Sequence, residues 1–213
     1  MVNNMNRCEN VLKFYVLCNK LKDVVRTGWK VWEVEKDRIE SVAEHIYGVQ
    51  MLAIAMYKEF DYDFDLEKVL YMLAVHELEE IVIGDLTRFD ISSLEKRERG
   101  KKAVSEVLSN LVNSSDIQNL IEEFECRETK EALFAYHCDK MECDIQAKLY
   151  DEKKCVDYEK QLNNPILGDE GLLKIFTLEK SWSGAWLESD RSLYKDNNFI
   201  ELLDYLKDNS ILK

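Results

Sequence analysis

Residues 69–84 read VLYMLAVHELEEIVIG, and this stretch decides the fold expected for the chain. Val69–Val75 is an apolar run, and a histidine and three carboxylates follow it directly. Apolar residues at three- and four-residue steps are typical of a helix with one buried face. We predict a helix over about 66–83, with Asp65 as its N-cap and Gly84 at its end.

The flanking sequence has the same helical character. Ser41-Val42-Ala43-Glu44 is a capping box, in which the hydroxyl and the carboxylate each accept a backbone amide, and it predicts a helix over about 42–60. Residues 30–40 are expected to form a loop, and residues 85–100 an irregular or short helical connector. Further helices are predicted at about 8–25, 101–112, 116–124, 129–151, 170–188 and 196–211.

Turn-forming residues are scarce, with seven glycines and one proline among 213 residues. Because β proteins need many turns, this scarcity favours an all-α fold, a helical bundle with additional C-terminal helices. We expect one domain over residues 1–213. Its motif-bearing core covers about residues 10–150, and C-terminal helices over about 165–213 pack on that core.

The charge balance excludes several classes of partner. The chain has 29 basic and 42 acidic side chains and a net charge of −13. Nucleic-acid polymers and anionic membranes both need a basic face, so neither is expected to bind. A small anionic substrate stays possible, because a few cations in a dry pocket outweigh a distant acidic surface.

The apolar and cysteine patterns bear on localisation. No apolar run approaches the ~20 residues of a membrane span, and the first twenty residues lack a signal-peptide pattern. The six cysteines form no CxxC pair. We expect reduced thiols and a cytoplasmic location.

The chain has three histidines, and two of them stand near acidic residues. His76 and Glu80 would share a helix face, with Glu77 about 100° round and within reach of a shared ion. Burying such charges without a partner would cost several kcal/mol, a cost that a divalent cation would remove. The alternative is a solvated acidic edge at the helix end. His45, beside a carboxylate, would by itself more often be structural.

A third helix carries the remaining candidates. Asp139 lies in the middle of a helix, and its ordinary explanation is an ion pair with Lys140. His137, two residues earlier, points to another helix face, and we expect no role for it. A histidine, a histidine with an acid, and a further acid on three helices converge only inside a bundle, where metal sites are built from facing helices.

Together these residues resemble the HD-domain metal-dependent phosphohydrolases, and more narrowly the YfbR-like 5′-deoxynucleotidases. The resemblance covers about residues 10–150. The matching stretches are Arg26-Thr27-Gly28-Trp29, Ser41-Val42-Ala43-Glu44-His45, the run from His76 to Asp85, and Asp139-Lys140-Met141-Glu142.

The resemblance implies a role for each matching residue. The ligands of one divalent metal would be His45, His76, Glu77 and Asp139. Glu80 would orient or deprotonate the attacking water. Arg26 would hold the 5′-phosphate, Trp29 would line the sugar or base pocket, and Asp85 would contact the deoxyribose. The substrate would be a deoxyribonucleoside 5′-monophosphate and the assembly a homodimer.

The metal is not fixed by sequence. Two imidazoles with two carboxylates suit Mn, Co, Fe or Zn better than Mg or Ca. The family has Asp where this chain has Glu77, which is one methylene longer. Two consequences of this substitution stay open: the metal binds in a shifted position, or the metal binds more weakly.

Two other functions stay open at this point. The first is an HD-type hydrolase of a nucleoside triphosphate or guanosine tetraphosphate. It would need more basic residues than Arg26, Lys30, Arg38 and Arg88. The second is a non-catalytic nucleotide-binding relative with a weakened metal site. Near the C-terminus, Trp182 and Trp186 are four residues apart and are expected in the core or at a subunit interface rather than in a ligand pocket.

Overall fold

The structure, a computed structural model, describes residues 4–87 and 90–212, so Arg88 lies outside the described residues. Across those two ranges the regular structure is helical, apart from one isolated antiparallel bridge between Val25 and Ser41. The predicted all-α class is confirmed.

The α-helices follow one another along the chain with short connections. They are α1 (Asn4–Asn19), α2 (Thr27–Val31), α3 (Val42–Glu59), α4 (Leu66–Val75), α5 (Glu80–Ile83), α6 (Ser93–Leu108), α7 (Ser115–Cys126), α8 (Lys130–Glu152), α9 (Tyr158–Gln161), α10 (Glu170–Leu178), α11 (Trp182–Asp190) and α12 (Asn197–Asp208). Short 3-10 turns lie at Lys20–Lys22, Pro165–Gly168 and Arg191–Leu193.

The capping signals in the sequence act as predicted. Ser41 accepts the Glu44 amide at 3.3 Å, and the Glu44 carboxylate accepts the Ser41 amide at 2.9 Å. The Asp65 carboxylate accepts the Lys68 amide at 3.1 Å at the start of α4. Gly84 ends α5 with a φ of 72°, a backbone conformation that favours glycine.

The prediction of one continuous helix over 66–83 is wrong. Helix α4 ends at Val75, and residues 76–79 form a turn before α5. In this turn the amides of Leu78 and Glu80 bond to carbonyls three residues earlier, at 3.2 and 3.1 Å. Such bonds wind the chain more tightly than an α-helix does. The side chains after Val75 therefore do not point in the directions expected for one continuous helix over 66–83.

Other boundaries also differ from the predictions. The loop expected over 30–40 begins only after Val31, because α2 covers the first residues of that range. The helix predicted over 101–112 begins earlier, since α6 starts at Ser93, within the connector expected over 85–100. The helix expected over 170–188 is two helices, since Ser181 caps α11 by accepting the Gly184 amide at 3.0 Å.

The principal core lies between α3, α4 and α8. It includes Val49 and Ala53 from α3, Leu73 from α4 and Met141 from α8, all fully buried. Because these three helices face one another, polar residues at their shared end are brought together. His45 lies in the first turns of α3, and residue 76 follows the last turn of α4.

A second core joins the C-terminal helices to α2 and α8. The Trp32 ring stacks on Phe176 of α10, with centroids 5.0 Å apart and planes 8° apart. Trp29 of α2 meets Tyr150 of α8 edge-on at 5.2 Å and Trp182 of α11 at 6.4 Å. The C-terminal helices thus hold the segment that follows Arg26. In the described part of the chain, no helix has the length and apolar character needed to cross a membrane.

Phe176→Ala tests this second core. Phe176 is 1% exposed, so we expect the variant to lose about 3–5 kcal/mol of unfolding free energy in a urea titration. Leu178→Ala on the same helix is the control, because Leu178 is 71% exposed and its loss should change stability by less than about 0.5 kcal/mol. If the chain is one domain, both variants unfold in a single transition. A separate transition for the C-terminal helices would contradict that.

Candidate metal centre and active site

Four potential ligands from three elements meet at the end of the principal core. His45 comes from α3, His76 and Glu77 from the turn after α4, and Asp139 from the middle of α8. One donor atom from each lies within 4.8 Å of the others. Both imidazoles and Asp139 are buried, and the Glu77 side chain is 12% exposed. The structure therefore brings together all four residues predicted as ligands.

Glu142 orients the His45 ring. Its carboxylate accepts the Nδ1 proton at 2.6 Å, which directs Nε2 at Asp139 Oδ1, 3.1 Å away. Burial opposes a charged His45 ring, but Cys143 and Asp139 raise its pKa well above the ordinary value, and a bound cation would take the place of the Nε2 proton. Glycine at position 48 permits this approach, because a Cβ there would lie 2.5 Å from Glu142 Oε1. Glu142 is not among the residues predicted to act in the site. Its spacing of three residues after Asp139, on the same helix face, was the available signal.

The His76 ring is oriented by the backbone. Its Nδ1 donates to the Leu73 carbonyl at 2.7 Å, so Nε2 carries the lone pair. Nε2 is buried and has no hydrogen-bond partner within residues 4–87 and 90–212. It lies 3.7 Å from Glu77 Oε1 and 4.0 Å from Asp139 Oδ1. Burial lowers the pKa of His76, which favours the neutral ring that can ligate a cation.

The two carboxylates of the cluster are ionised. Burial by itself would raise the pKa of Asp139, but Lys140 and His45 outweigh it and hold that pKa well below the usual range. Burial likewise opposes ionisation of Glu77, yet His76 and Arg26 bring its pKa below the ordinary value. The ion pair expected between Asp139 and Lys140 is present at 2.9 Å and uses Oδ2, while Oδ1 faces His45.

The donor set fits a divalent cation. Metal–ligand bonds of about 2.0–2.2 Å place the ligands of a tetrahedral ion about 3.3–3.6 Å apart. Four of the donor spacings in the cluster lie between 3.1 and 4.0 Å, which is of this order. The unpartnered Nε2 of His76 gains a partner when an ion binds. Glu77 reaches the other donors despite its extra methylene, since its Oε1 lies 3.8 Å from His45 Nε2.

Glu80 lies beside the cluster and has different electrostatics. It is 1% exposed, and neither carboxylate oxygen finds a hydrogen-bond partner in the described part of the chain. Burial, with Glu77 and Asp85 nearby, raises its pKa well above the ordinary value. Lys96 Nζ lies 3.6 Å away. Glu80 therefore binds a proton more readily than the ionised carboxylates next to it, as expected of an acid–base group.

A cavity of about 530 Å³ opens beside the cluster. Arg26 lines it, and its guanidinium donates to Glu77 Oε1 at 3.4 Å and to Cys143 Sγ at 3.1 Å. Asp85 also lines it, and its carboxylate accepts the Thr27 amide at 2.6 Å. The charged wall of the cavity is thus built from the start of α2, the turn after α4 and the segment after α5.

The aromatic predictions have a mixed outcome. Trp29 touches the cavity but is only 2% exposed, and its Nε1 donates to Glu40 at 2.8 Å. Trp182 is in the core, as expected. Trp186 is half-buried, packs against the same core and also lines the cavity.

Several cations around the cavity had no sequence signal. Lys96, Arg127 and Lys140 line it from α6, the end of α7 and α8. They are far apart in sequence, and lysines on helices usually form solvated faces. His137 is outside the site, as predicted: its Nε2 accepts the Lys195 amide at 3.3 Å.

Comparison with known proteins places this geometry in a family. The sequence pattern of the HD domain matches residues 18–169. The 5′-deoxynucleotidase HDDC2 of Dictyostelium discoideum is 35% identical over 152 residues, which are 68% of this chain and 79% of that protein. The chain belongs to the HD-domain 5′-deoxynucleotidase family.

Solved structures agree with the family at the level of the fold. A conserved hypothetical protein from Pyrococcus furiosus is 31% identical, has a TM-score of 0.58, and is matched over 65% of this chain and 81% of its own. A protein from Magnetospirillum magnetotacticum, described as a predicted metal-dependent phosphohydrolase, has a TM-score of 0.64 at 20% identity, over 99% of this chain and 96% of its own. HD domains are metal-dependent phosphohydrolase domains, and the buried His–Glu–Asp cluster of this member fits a divalent metal.

His76→Ala tests the ligand set. We expect this variant to lose its metal on dialysis, because one of two imidazole donors is gone, and we would measure metal per chain by mass spectrometry. His137→Ala is the matched control, since His137 is equally buried but lies outside the cluster. Equal metal retention by the two variants would contradict the assignment.

Proposed function

We propose that this chain removes the 5′-phosphate from deoxyribonucleoside 5′-monophosphates in a metal-dependent hydrolysis. The observation that carries the proposal is the buried cluster of His45, His76, Glu77 and Asp139 beside Glu80, at the charged wall of a cavity. The name of the Dictyostelium relative supports the substrate class.

The four clustered residues would hold one divalent transition metal, and Mn, Co, Fe or Zn suits their nitrogen and oxygen donors. When bound, the ion acidifies a water molecule and neutralises charge on the phosphoryl group. Glu142 keeps Nε2 of His45 directed at the site, and the Leu73 carbonyl does the same for Nε2 of His76.

Glu80 is proposed to accept the proton of the attacking water. Burial raises the pKa of Glu80 well above its ordinary value, which favours holding the proton that a general base accepts. The water oxygen bonds to phosphorus as the bond from phosphorus to the 5′-oxygen breaks, and the proton held at Glu80 is available to the leaving oxygen. Lys96, 3.6 Å from Glu80, adds positive charge beside the reacting group.

The remaining residues of the charged wall are proposed to bind the substrate. Arg26 offers a forked set of donors suited to a phosphate, and the phosphate would compete with its present partners Glu77 and Cys143. Asp85 is proposed to accept a deoxyribose hydroxyl. Trp29, buried beneath the cavity, gives this wall its support.

We propose further that the protein is a cytoplasmic homodimer. Helix α1 exposes an apolar strip of Val11, Leu12, Tyr15 and Val16, each at least 60% exposed, which a second copy would cover. All six cysteines are free, which is typical of a reducing compartment.

The substrate class is tested by phosphate release from matched deoxyribo- and ribonucleoside 5′-monophosphates, after metal removal and re-addition of Mn²⁺ or Co²⁺. We expect release only with metal and faster release from the deoxy series. Turnover of triphosphates or guanosine tetraphosphate, with none of monophosphates, would contradict the proposal. No turnover and no bound metal would indicate a non-catalytic relative.

Glu80→Gln tests the acid–base role. The amide cannot accept the proton, so we expect kcat to fall at least about 100-fold while metal content and thermal stability are kept. Glu79→Gln is the control, because Glu79 is a neighbouring carboxylate that does not line the 530 Å³ cavity. Retained turnover in the Glu80 variant would remove Glu80 from the mechanism.

A further inference from the structure

The lining of the cavity beside the metal cluster has two chemically different parts. The charged part consists of Arg26, Glu77, Glu80 and Asp85. The aromatic part consists of Leu172, Phe176, Trp186 and Leu193, next to Ser189 and Asp190. With its phosphate held by the charged part, a nucleotide would have the aromatic part available for the rest of its molecule.

The aromatic part of the lining comes from the C-terminal part of the chain. The HD-domain match ends at residue 169, and the four residues of the aromatic part all lie after that position in the chain. They lie on α10, on α11 and in the 3-10 turn that follows α11. The family match therefore assigns no role to these four residues.

Trp186 is fixed in place before any ligand arrives. Its Nε1 donates to Asp144 Oδ1 at 2.9 Å, and Asp144 is fully buried on α8. Its ring centroid lies 5.2 Å from that of Trp29 and 5.4 Å from that of Trp182. Since the ring is already ordered, stacking a flat ligand on it costs little conformational entropy.

We propose that Trp186 is the platform on which the nucleobase of the substrate stacks. This inference rests on the proposed function and extends it to the part of the substrate remote from the phosphate. Every base has a π-face, so stacking on an indole binds purines and pyrimidines alike. Trp29, which is buried behind Trp186, supports the platform rather than contacting the base.

The test compares a substrate that has a base with one that lacks it. We would measure kcat/KM for deoxyadenosine 5′-monophosphate and for 2-deoxyribose 5-phosphate, with Mn²⁺, in the wild type, Trp186→Leu and Trp186→Phe. We expect the ratio of the two values to fall about ten-fold in Trp186→Leu, mainly through KM, and to recover in Trp186→Phe. The ratio is independent of how much enzyme is folded.

Trp182→Leu is the matched control. It removes an indole from the same aromatic cluster, but Trp182 is fully buried and does not line the cavity. We expect this variant to lose stability and to keep the wild-type ratio. Equal losses on both substrates in Trp186→Leu, or the same change of ratio in Trp182→Leu, would overturn the inference.

A binding measurement separates this inference from the proposed function. If the wild type hydrolyses neither compound, the proposed function fails. Calorimetric titration with deoxyadenosine 5′-monophosphate and with 2-deoxyribose 5-phosphate, each in the presence of Mn²⁺, then tests whether Trp186 binds the base. Tighter binding of the nucleotide that is lost in Trp186→Leu would support it. Equal affinities of the wild type for the two compounds would overturn it.

Discussion

The burial of an ionised Asp139 in the middle of α8 is the constraint on which the rest of the site depends. An unpaired buried carboxylate would cost several kcal/mol, so its surroundings must supply positive charge. Lys140 pairs with one oxygen, and His45 faces the other. Glu142 in turn fixes the His45 ring, which requires the close approach of α3 and α8 at Gly48. A cation held between the four donors would complete this balance of charge.

The same burial divides the carboxylates into two kinds. Glu77 is kept ionised by His76 and Arg26, whereas Glu80, with Glu77 as a close neighbour, has a raised pKa. Two acids three residues apart thus acquire different tasks from their surroundings, one suited to hold a metal and one to hold a proton. The aromatic core between α2 and the C-terminal helices keeps Arg26 beside both.

How much of this could be predicted from sequence depends on the range of the interactions involved. The capping box at Ser41 and the N-cap at Asp65 are local, and both were predicted. The four ligands were found because their residue types and order resemble a known family. The turn after Val75 was missed, since an apolar run cannot show that a helix breaks to bury charged side chains. The position of Trp186 depends on which side of α11 meets α8, which spacing alone does not determine.

The most direct test of the central claim, that these four side chains form one metal centre, is anomalous diffraction from crystals grown with Mn²⁺. We predict a strong manganese peak within about 2.0–2.3 Å of Nε2 of His45 and His76 and of carboxylate oxygens of Glu77 and Asp139. A manganese peak that lies elsewhere, or a cluster with no peak in a crystal that binds manganese, would contradict it.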